Sequence, residues 1–264
     1  MKIHNLFAAA GLALMLSGCS LFGDEEEEIP EHSAQELYES SQDSLKAGNW
    51  PSAVKKLEAL DSRYPFGPYA HQGQLDLIYA YYKNGDTDDA VSNADRFIKA
   101  NPRHPKMDYA YYMKGLALFQ ADEGFFQKTF NADMWKRDAS SAKKSFDAFA
   151  ELLRLHPNSH YAADSRQRMI YLRNRLAQYE VYVAEYYLRR EIFVAAANRA
   201  RYVVEHFPQS TSVADALGIM VAAYEKLNLK SEADNARKVL KLNYPEAVAF
   251  ISAAIMVRMN GSTA

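Results

Sequence analysis

The sequence predicts an all-α protein, a right-handed superhelix of about five stacked helix pairs. Three observations carry this expectation. Apolar residues recur at three- and four-residue steps, as Leu75, Ile78, Tyr79 and Tyr82 do, which is helical periodicity. Five prolines punctuate the body at Pro65, Pro102, Pro157, Pro208 and Pro245, and twelve residues before each stands a small side chain: Ala53, Ala90, Ser145, Ala196 and Ala233. Small residues belong where two helices cross closely, because bulky ones force the axes apart. Five such matches in register mark an internal repeat. Finally, 18 tyrosines against 11 glycines suit helices packed by aromatic rings better than a sheet full of tight turns. Contents of 48% hydrophobic and 24% charged residues are those of a folded globular chain.

The first 18 residues stand outside the fold. Lys2 and His4 make a short polar start, and Leu6 to Leu16 is almost wholly apolar. That run has the length of a signal-peptide core and is too short to span a bilayer. It ends in Leu16-Ser17-Gly18-Cys19, which resembles the lipobox of bacterial lipoproteins, where cleavage precedes a cysteine that carries lipid. Cys19 is the sole cysteine of the chain, so it has no disulfide partner within it, and lipidation is the simpler reading. Several acyl chains hold a protein on a membrane far more firmly than one. Residues 19–31 read as a lipidated tether, with five consecutive acids from Asp24 to Glu28 that repel one another and bury nothing. The net charge is −2 overall, and residues 32–264 hold 30 basic against 27 acidic groups, too small an excess to imply nucleic acid.

The helix pairs follow in order. The first is read as Ser33–Ala47 and Pro51–Arg63, turning at Gly48-Asn49. Tyr64-Pro65 closes it, since proline keeps the residue before it out of the α region. Pro68 is expected in the first turn of the next helix. The second pair is Tyr69–Lys83 and Thr87–Ala100, with Gly85 as a left-handed cap and Asp86 or Thr87 as N-cap. The third is Lys106–Ala121 and Ala139–Leu155, separated by an insertion from Asp122 to Asp138 that holds Gly124, Phe125, Phe126, Phe130 and Trp135. The fourth opens with one extended helix, Tyr161–Leu188, which contains neither proline nor glycine, and closes with Ile192–His206. Val213–Lys226 and Ser231–Asn243 make the fifth, and Glu246–Met259 reads as a terminal helix, apolar on several sides. Residues 32–157 thus form three N-terminal repeats with a substrate-facing groove. Residues 158–264 read as two C-terminal repeats and the terminal helix.

A period near 34 with this pattern resembles the tetratricopeptide repeat. With the small residue counted as position 20, position 32 is proline in all five units, and position 11 is Tyr81, Tyr187 and Tyr224 in three of them. The first unit departs with Ser44, and the insertion disrupts the third. In this repeat type, positions 2, 5, 9 and 12 of the first helix line the concave surface. That register selects Tyr38 and Gln42, then Gln72, Tyr79 and Tyr82, then Tyr109, Tyr112 and Phe119. Tyrosine offers a large contact area at small entropy cost and keeps a polar tip. Such a groove suits an extended peptide with aromatic residues.

Catalytic patterns are lacking. There is no Gly-x-Ser-x-Gly elbow, phosphate-binding glycine loop or His-Glu-x-x-His helix. Pro157 separates His156 from His160, with no further ligand evident, and Asn84 to Asp89 lacks the later glutamate of a calcium loop. The expectation is a non-enzymatic protein with no metal and no cofactor beyond covalent lipid.

Four stretches, Arg63-Tyr-Pro-Phe-Gly-Pro-Tyr69, Gln74-Leu-Asp-Leu-Ile-Tyr-Ala-Tyr-Tyr-Lys83, Tyr112-Met-Lys-Gly-Leu116 and Ala148-Phe-Ala-Glu-Leu152, make the chain similar to the BamD family of lipoproteins of the outer-membrane β-barrel assembly machine. Lipobox, tether and five repeats match that family in order and length. The resemblance implies N-palmitoyl and S-diacylglycerol groups on Cys19. Ser20, where an aspartate retains lipoproteins in the inner membrane, is compatible with the outer membrane. It implies a scaffold on the periplasmic face of that membrane. It also implies contact with a BamA POTRA domain, accessory lipoproteins of the same complex, and unfolded outer-membrane protein precursors as cargo. Arg189, Arg190, Arg199 and Arg201 form a basic group, and two arginines on one face grip a carboxylate well. The family's BamA-binding end lies in the C-terminal repeats, which makes Arg199 a candidate anchor. The competing expectation is a periplasmic repeat adaptor for peptidoglycan or other envelope enzymes.

Overall fold

The computed structural model describes residues 32–123 and 138–248, and all regular structure among them is helical. The helices are α1 (Ala34–Lys46), α2 (Trp50–Arg63), α3 (Ala70–Asn84), α4 (Thr87–Ala100), α5 (Met107–Glu123), α6 (Ser140–Leu155), α7 (Ala162–Arg189), α8 (Phe193–His206), α9 (Val213–Lys226) and α10 (Lys230–Asn243). A 3-10 turn over Pro245–Ala247 follows. Each helix packs on the next, and the first helices of successive pairs also touch, α3 with α5 and α7 with α9. The result is five stacked pairs whose odd-numbered helices share one surface.

The repeat is visible in the backbone. Gly48, Gly85, Glu191 and Asn228 all adopt positive φ, at +70°, +93°, +59° and +59°. Each lies five residues before the buried small residue of its unit, at the turn between the two helices of a pair. The second turn position in each case donates its N–H far back into the preceding helix, as Asp86 does to the Tyr81 carbonyl at 3.0 Å and Ile192 to Tyr187 at 2.9 Å. This is the left-handed helix ending that glycine favours and other residues adopt at a cost. The pairs close as regularly. Tyr64, Asn101, His156, Phe207 and Tyr244 leave the α region, with φ between −124° and −137°, because a proline follows each.

The small residues do what their spacing predicts. Ala53, Ala90, Ser145 and Ala196 are fully buried, and Ala233 nearly so. Ser145 also donates its hydroxyl to the Gly115 carbonyl at 2.9 Å. A Cβ on Gly115 would come within 2.5 Å of the Phe149 ring, so α5 and α6 meet there with no room for a side chain. The core is continuous along the stack. Leu172 and Leu176 of α7 pack with the second and third pairs, while Ala177 and Val181 of the same helix pack with the fourth and fifth. Helix α7 also carries Arg175, buried and 3.5 Å from the Asp122 carboxylate at the end of α5.

Some expectations need correcting. Pro68 stands in the turn before α3 rather than in its first helical turn, because the helix begins only at Ala70. Asp86 occupies the N-cap position of α4, but its carboxylate accepts from the Asn84 side-chain amide at 2.6 Å rather than from a helix N–H. Asp122 and Glu123, read as insertion, continue α5. The lipobox, Cys19, the tether, residues 124–137 and the terminal stretch beyond Val248 lie outside the described residues.

Candidate functional site

All eight side chains selected for the groove, Tyr38, Gln42, Gln72, Tyr79, Tyr82, Tyr109, Tyr112 and Phe119, are half-buried. They stand on α1, α3 and α5, the odd-numbered helices. They form a rail in two groups, each joined internally by hydrogen bonds and ring contacts. Gln42 Nε2 donates to Asp76 Oδ2 at 2.7 Å, and Gln72 Nε2 donates to Asp76 Oδ1 at 2.7 Å. Lys106 Nζ donates to Gln72 Oε1 at 2.6 Å. Tyr38 stacks on Tyr69 with centroids 5.0 Å apart and lies against the same Asp76 carboxylate.

Further along, Tyr112 stacks on Tyr161 at 4.5 Å, and Tyr109 leans on Tyr161 at 5.8 Å. The Tyr112 hydroxyl donates to Asp164 Oδ2 at 2.9 Å, and Arg168 Nε donates to the same oxygen at 2.6 Å. The Arg168 guanidinium sits 5.0 Å over the Phe119 ring, which in turn packs on Tyr171 at 5.4 Å. Tyr79 meets the Trp50 ring edge-on at 6.0 Å, and Tyr82 contributes to the cores on both sides of α3. The rail therefore runs from α1 to the N-terminal half of α7.

Electrostatics follow from this half-burial. Burial raises the Asp76 pKa above the ordinary aspartate value, and the donors Gln72 and Gln42 with the nearby Lys106 charge only partly offset it. Burial and the Asp164 carboxylate push the Tyr112 phenol up to about 12, and burial also raises Tyr109. The phenols are thus neutral hydrogen-bonding groups at any physiological pH. The surface alternates flat aromatic rings with carboxylates, amides and two cations, so faces, donors and acceptors stand side by side.

Asp76, Lys106, Tyr161, Asp164 and Arg168 were absent from the residues selected by sequence. Asp76 stands at repeat position 6 and Lys106 ahead of the third unit's first helix, outside the positions counted off for the groove, and each meets a selected glutamine 34 residues away. Arg199, the predicted anchor, is exposed on α8 and forms an ion pair with Glu180 Oε2 of α7 at 2.9 Å. It borders a shallow cavity of about 360 Å³ with Tyr187, Ala195, Asn198 and Tyr202. The rest of the basic group is also engaged: Arg189 lies 3.9 Å from Glu185, Arg201 3.8 Å from Glu205, and Arg190 covers the Tyr186 ring. Among the described residues no three His, Cys, Asp or Glu side chains converge as metal ligands, and no helix is long and apolar enough to cross a membrane.

The outer membrane lipoprotein family YfiO matches residues 30–240, from just before the first helix into the last turns of α10. The chain belongs to this family. Relatives of this YfiO-family chain include the outer membrane protein assembly factor BamD of Vibrio cholerae, 41% identical over 243 residues that cover 92% of this chain and 99% of that protein. The protein of the same name from Neisseria meningitidis serogroup B is 40% identical over 248 residues, covering 93% of each chain. That of Xylella fastidiosa is 42% identical over 212 residues, 80% of this chain and 73% of that one.

Proposed function

We propose that this YfiO-family chain is a lipid-anchored scaffold for the assembly of outer-membrane β-barrel proteins. The anchor is Cys19, carrying N-palmitoyl and S-diacylglycerol groups, and the repeats stand on the periplasmic face of the outer membrane. The concave rail on α1, α3, α5 and α7 receives extended, aromatic-rich segments of unfolded barrel precursors. The two C-terminal repeats hold a POTRA domain of BamA near Arg199, with accessory lipoproteins of the same complex as further partners. No covalent step is required of any residue.

The observation that supports this reading best is the aromatic and polar rail, in two bonded groups, on the first helices of four pairs. Family membership and the names of the relatives support the assembly role. Half-buried tyrosines offer edges and faces to incoming rings, and Asp76, Asp164 and the glutamines offer acceptors and donors to an extended backbone. The rail includes Tyr161, Asp164 and Arg168, so the substrate-facing part continues past Pro157 into the first half of α7. A partner carboxylate docking on Arg199 would compete with Glu180, exchanging one charge-assisted hydrogen bond for another.

Purification of the native lipoprotein from detergent-solubilised outer membrane tests the reading. A stoichiometric β-barrel partner is expected. Recovery with a murein hydrolase or synthase instead, and no barrel protein, would replace this function with that of a peptidoglycan adaptor.

A further inference from the structure

Phe66 is 89% exposed, more than any other large hydrophobic side chain among the described residues. The loop that displays it is braced on both sides. Pro65 and Pro68 fix φ at two positions, and Gly67 takes φ +115° between them. The Ala70 N–H donates to the Gly67 carbonyl at 3.3 Å, and Tyr69 stacks on Tyr38. The six residues from Tyr64 to Tyr69 carry no charge. An aromatic ring held out by so ordered a loop is a presented group.

A second contact places the loop beside the root of the tether. The Tyr64 hydroxyl donates to the backbone carbonyl of His32 at 3.0 Å. His32 is the root of the tether, where the described array begins, so Phe66 and the tether leave the protein at the same place. His32 lies thirteen positions after Cys19. Even fully extended, that length of chain spans no more than about 45 Å. The loop is therefore the part of the array leashed most closely to the lipid.

We propose that Phe66, with the partly exposed Tyr64 beside it, is a membrane-interface contact that seats the N-terminal end of the array on the phospholipid leaflet holding the anchor. Aromatic rings partition to the boundary between headgroups and acyl chains, where an apolar body and a polar tip are both satisfied. One ring adds little affinity to that of the acyl chains. Its effect is orientation: anchor and wedge together define two points of attachment, and the groove beginning at Tyr38 is held at a fixed angle to the bilayer. The inference rests on the reading of Cys19 as lipidated.

The test uses the full-length lipidated chain carrying Phe66→Trp, reconstituted in vesicles of phosphatidylethanolamine and phosphatidylglycerol with and without brominated acyl chains. Emission of the variant, after subtraction of the wild-type signal from Trp50 and Trp135, is expected to be quenched at least about twofold by bromolipid, as burial at the interface requires. Unquenched emission from position 66 overturns the proposal, and so does shielding that arises only when a protein partner is added. In a second arm, the unlipidated chain with Cys19→Ala is floated with the same vesicles. Phe66→Ser is expected to lower its bound fraction by roughly tenfold, the loss of one partly buried aromatic ring. Equal flotation overturns the proposal. A wild-type protein without acyl mass would refute the anchor alone, because this second arm tests Phe66 without it.

Discussion

Gln42 Nε2 lies 2.7 Å from Asp76 Oδ2, 34 residues away in sequence. The bond joins the first helices of two adjacent pairs, and Gln72 completes a two-amide cradle for the same carboxylate. It pins the register of the stack, and it joins side chains proposed to line the groove.

That cradle gives Asp76 a pH signature. Burial raises its pKa above the ordinary 3.8, so the folded state holds the proton more tightly than the unfolded chain. The stability from that proton is fully present below the unfolded value and is lost as pH rises through the raised one. The stability gap between wild type and Asp76→Asn should therefore shift in favour of wild type on going from about pH 7 to about pH 4. Urea denaturation of both proteins at each pH measures it. A gap that is independent of pH, or that shifts the other way, would show that the carboxylate is not desolvated in the fold.

Gly115 and Ser145 define the tightest crossing. Gly115→Ala places a methyl 2.5 Å from the fully buried Phe149 ring and should cost about 1–3 kcal/mol by overpacking. Ser145→Ala should cost about 1 kcal/mol through the lost bond to the Gly115 carbonyl. Chemical denaturation decides between them, and a Gly115→Ala protein as stable as wild type would mean that α5 and α6 stand further apart.

The intra-pair turns make a paired prediction. A methyl on Gly85 meets nothing within 4 Å, so Gly85→Ala carries only the conformational cost of φ +93°, about 1–2 kcal/mol. Glu191 already bears such a cost at φ +59°, and Glu191→Gly should be stabilising by about 0.5–1 kcal/mol. Thermal unfolding should move in opposite directions for the two variants. Movement in the same direction would break the equivalence of the turns.

Anchoring is tested at one atom. Cys19→Ala should leave a chain without covalent lipid, while the repeats keep their melting temperature because position 19 precedes every described helix. Mass spectrometry of the amino-terminal peptide reads the result, and acyl groups retained in the variant would refute the assignment.

Much of the fold was legible in the sequence because the repeat writes itself in strong signals. A proline ending each pair and a small residue twelve positions earlier report backbone geometry and axis distance directly, and Ala53, Ala90 and Ala196 are all buried as that spacing demands. The turn residues were harder. Glu191 and Asn228 carry no glycine signal, yet take the same left-handed conformation because the helix pair on either side dictates it. The groove was half legible. Residues at fixed positions of the first helices could be counted off, but Asp164 and Arg168 belong to a helix whose extra length blurs that count. Arg199 was read as part of a basic cluster, since its Glu180 partner lies on another helix, 19 residues away.

The central claim is that the concave rail, and not the C-terminal repeats, holds barrel precursors. The direct measurement is the affinity of a carboxy-terminal barrel peptide, by fluorescence anisotropy, for the Tyr79→Ala/Tyr82→Ala chain, with BamA co-purification scored on the same folded protein. The account predicts peptide binding weaker by roughly tenfold or more, from two tyrosine contacts, with BamA recovery unchanged. Unchanged peptide affinity in a folded variant would contradict it, as would loss of both activities together with a lowered melting temperature.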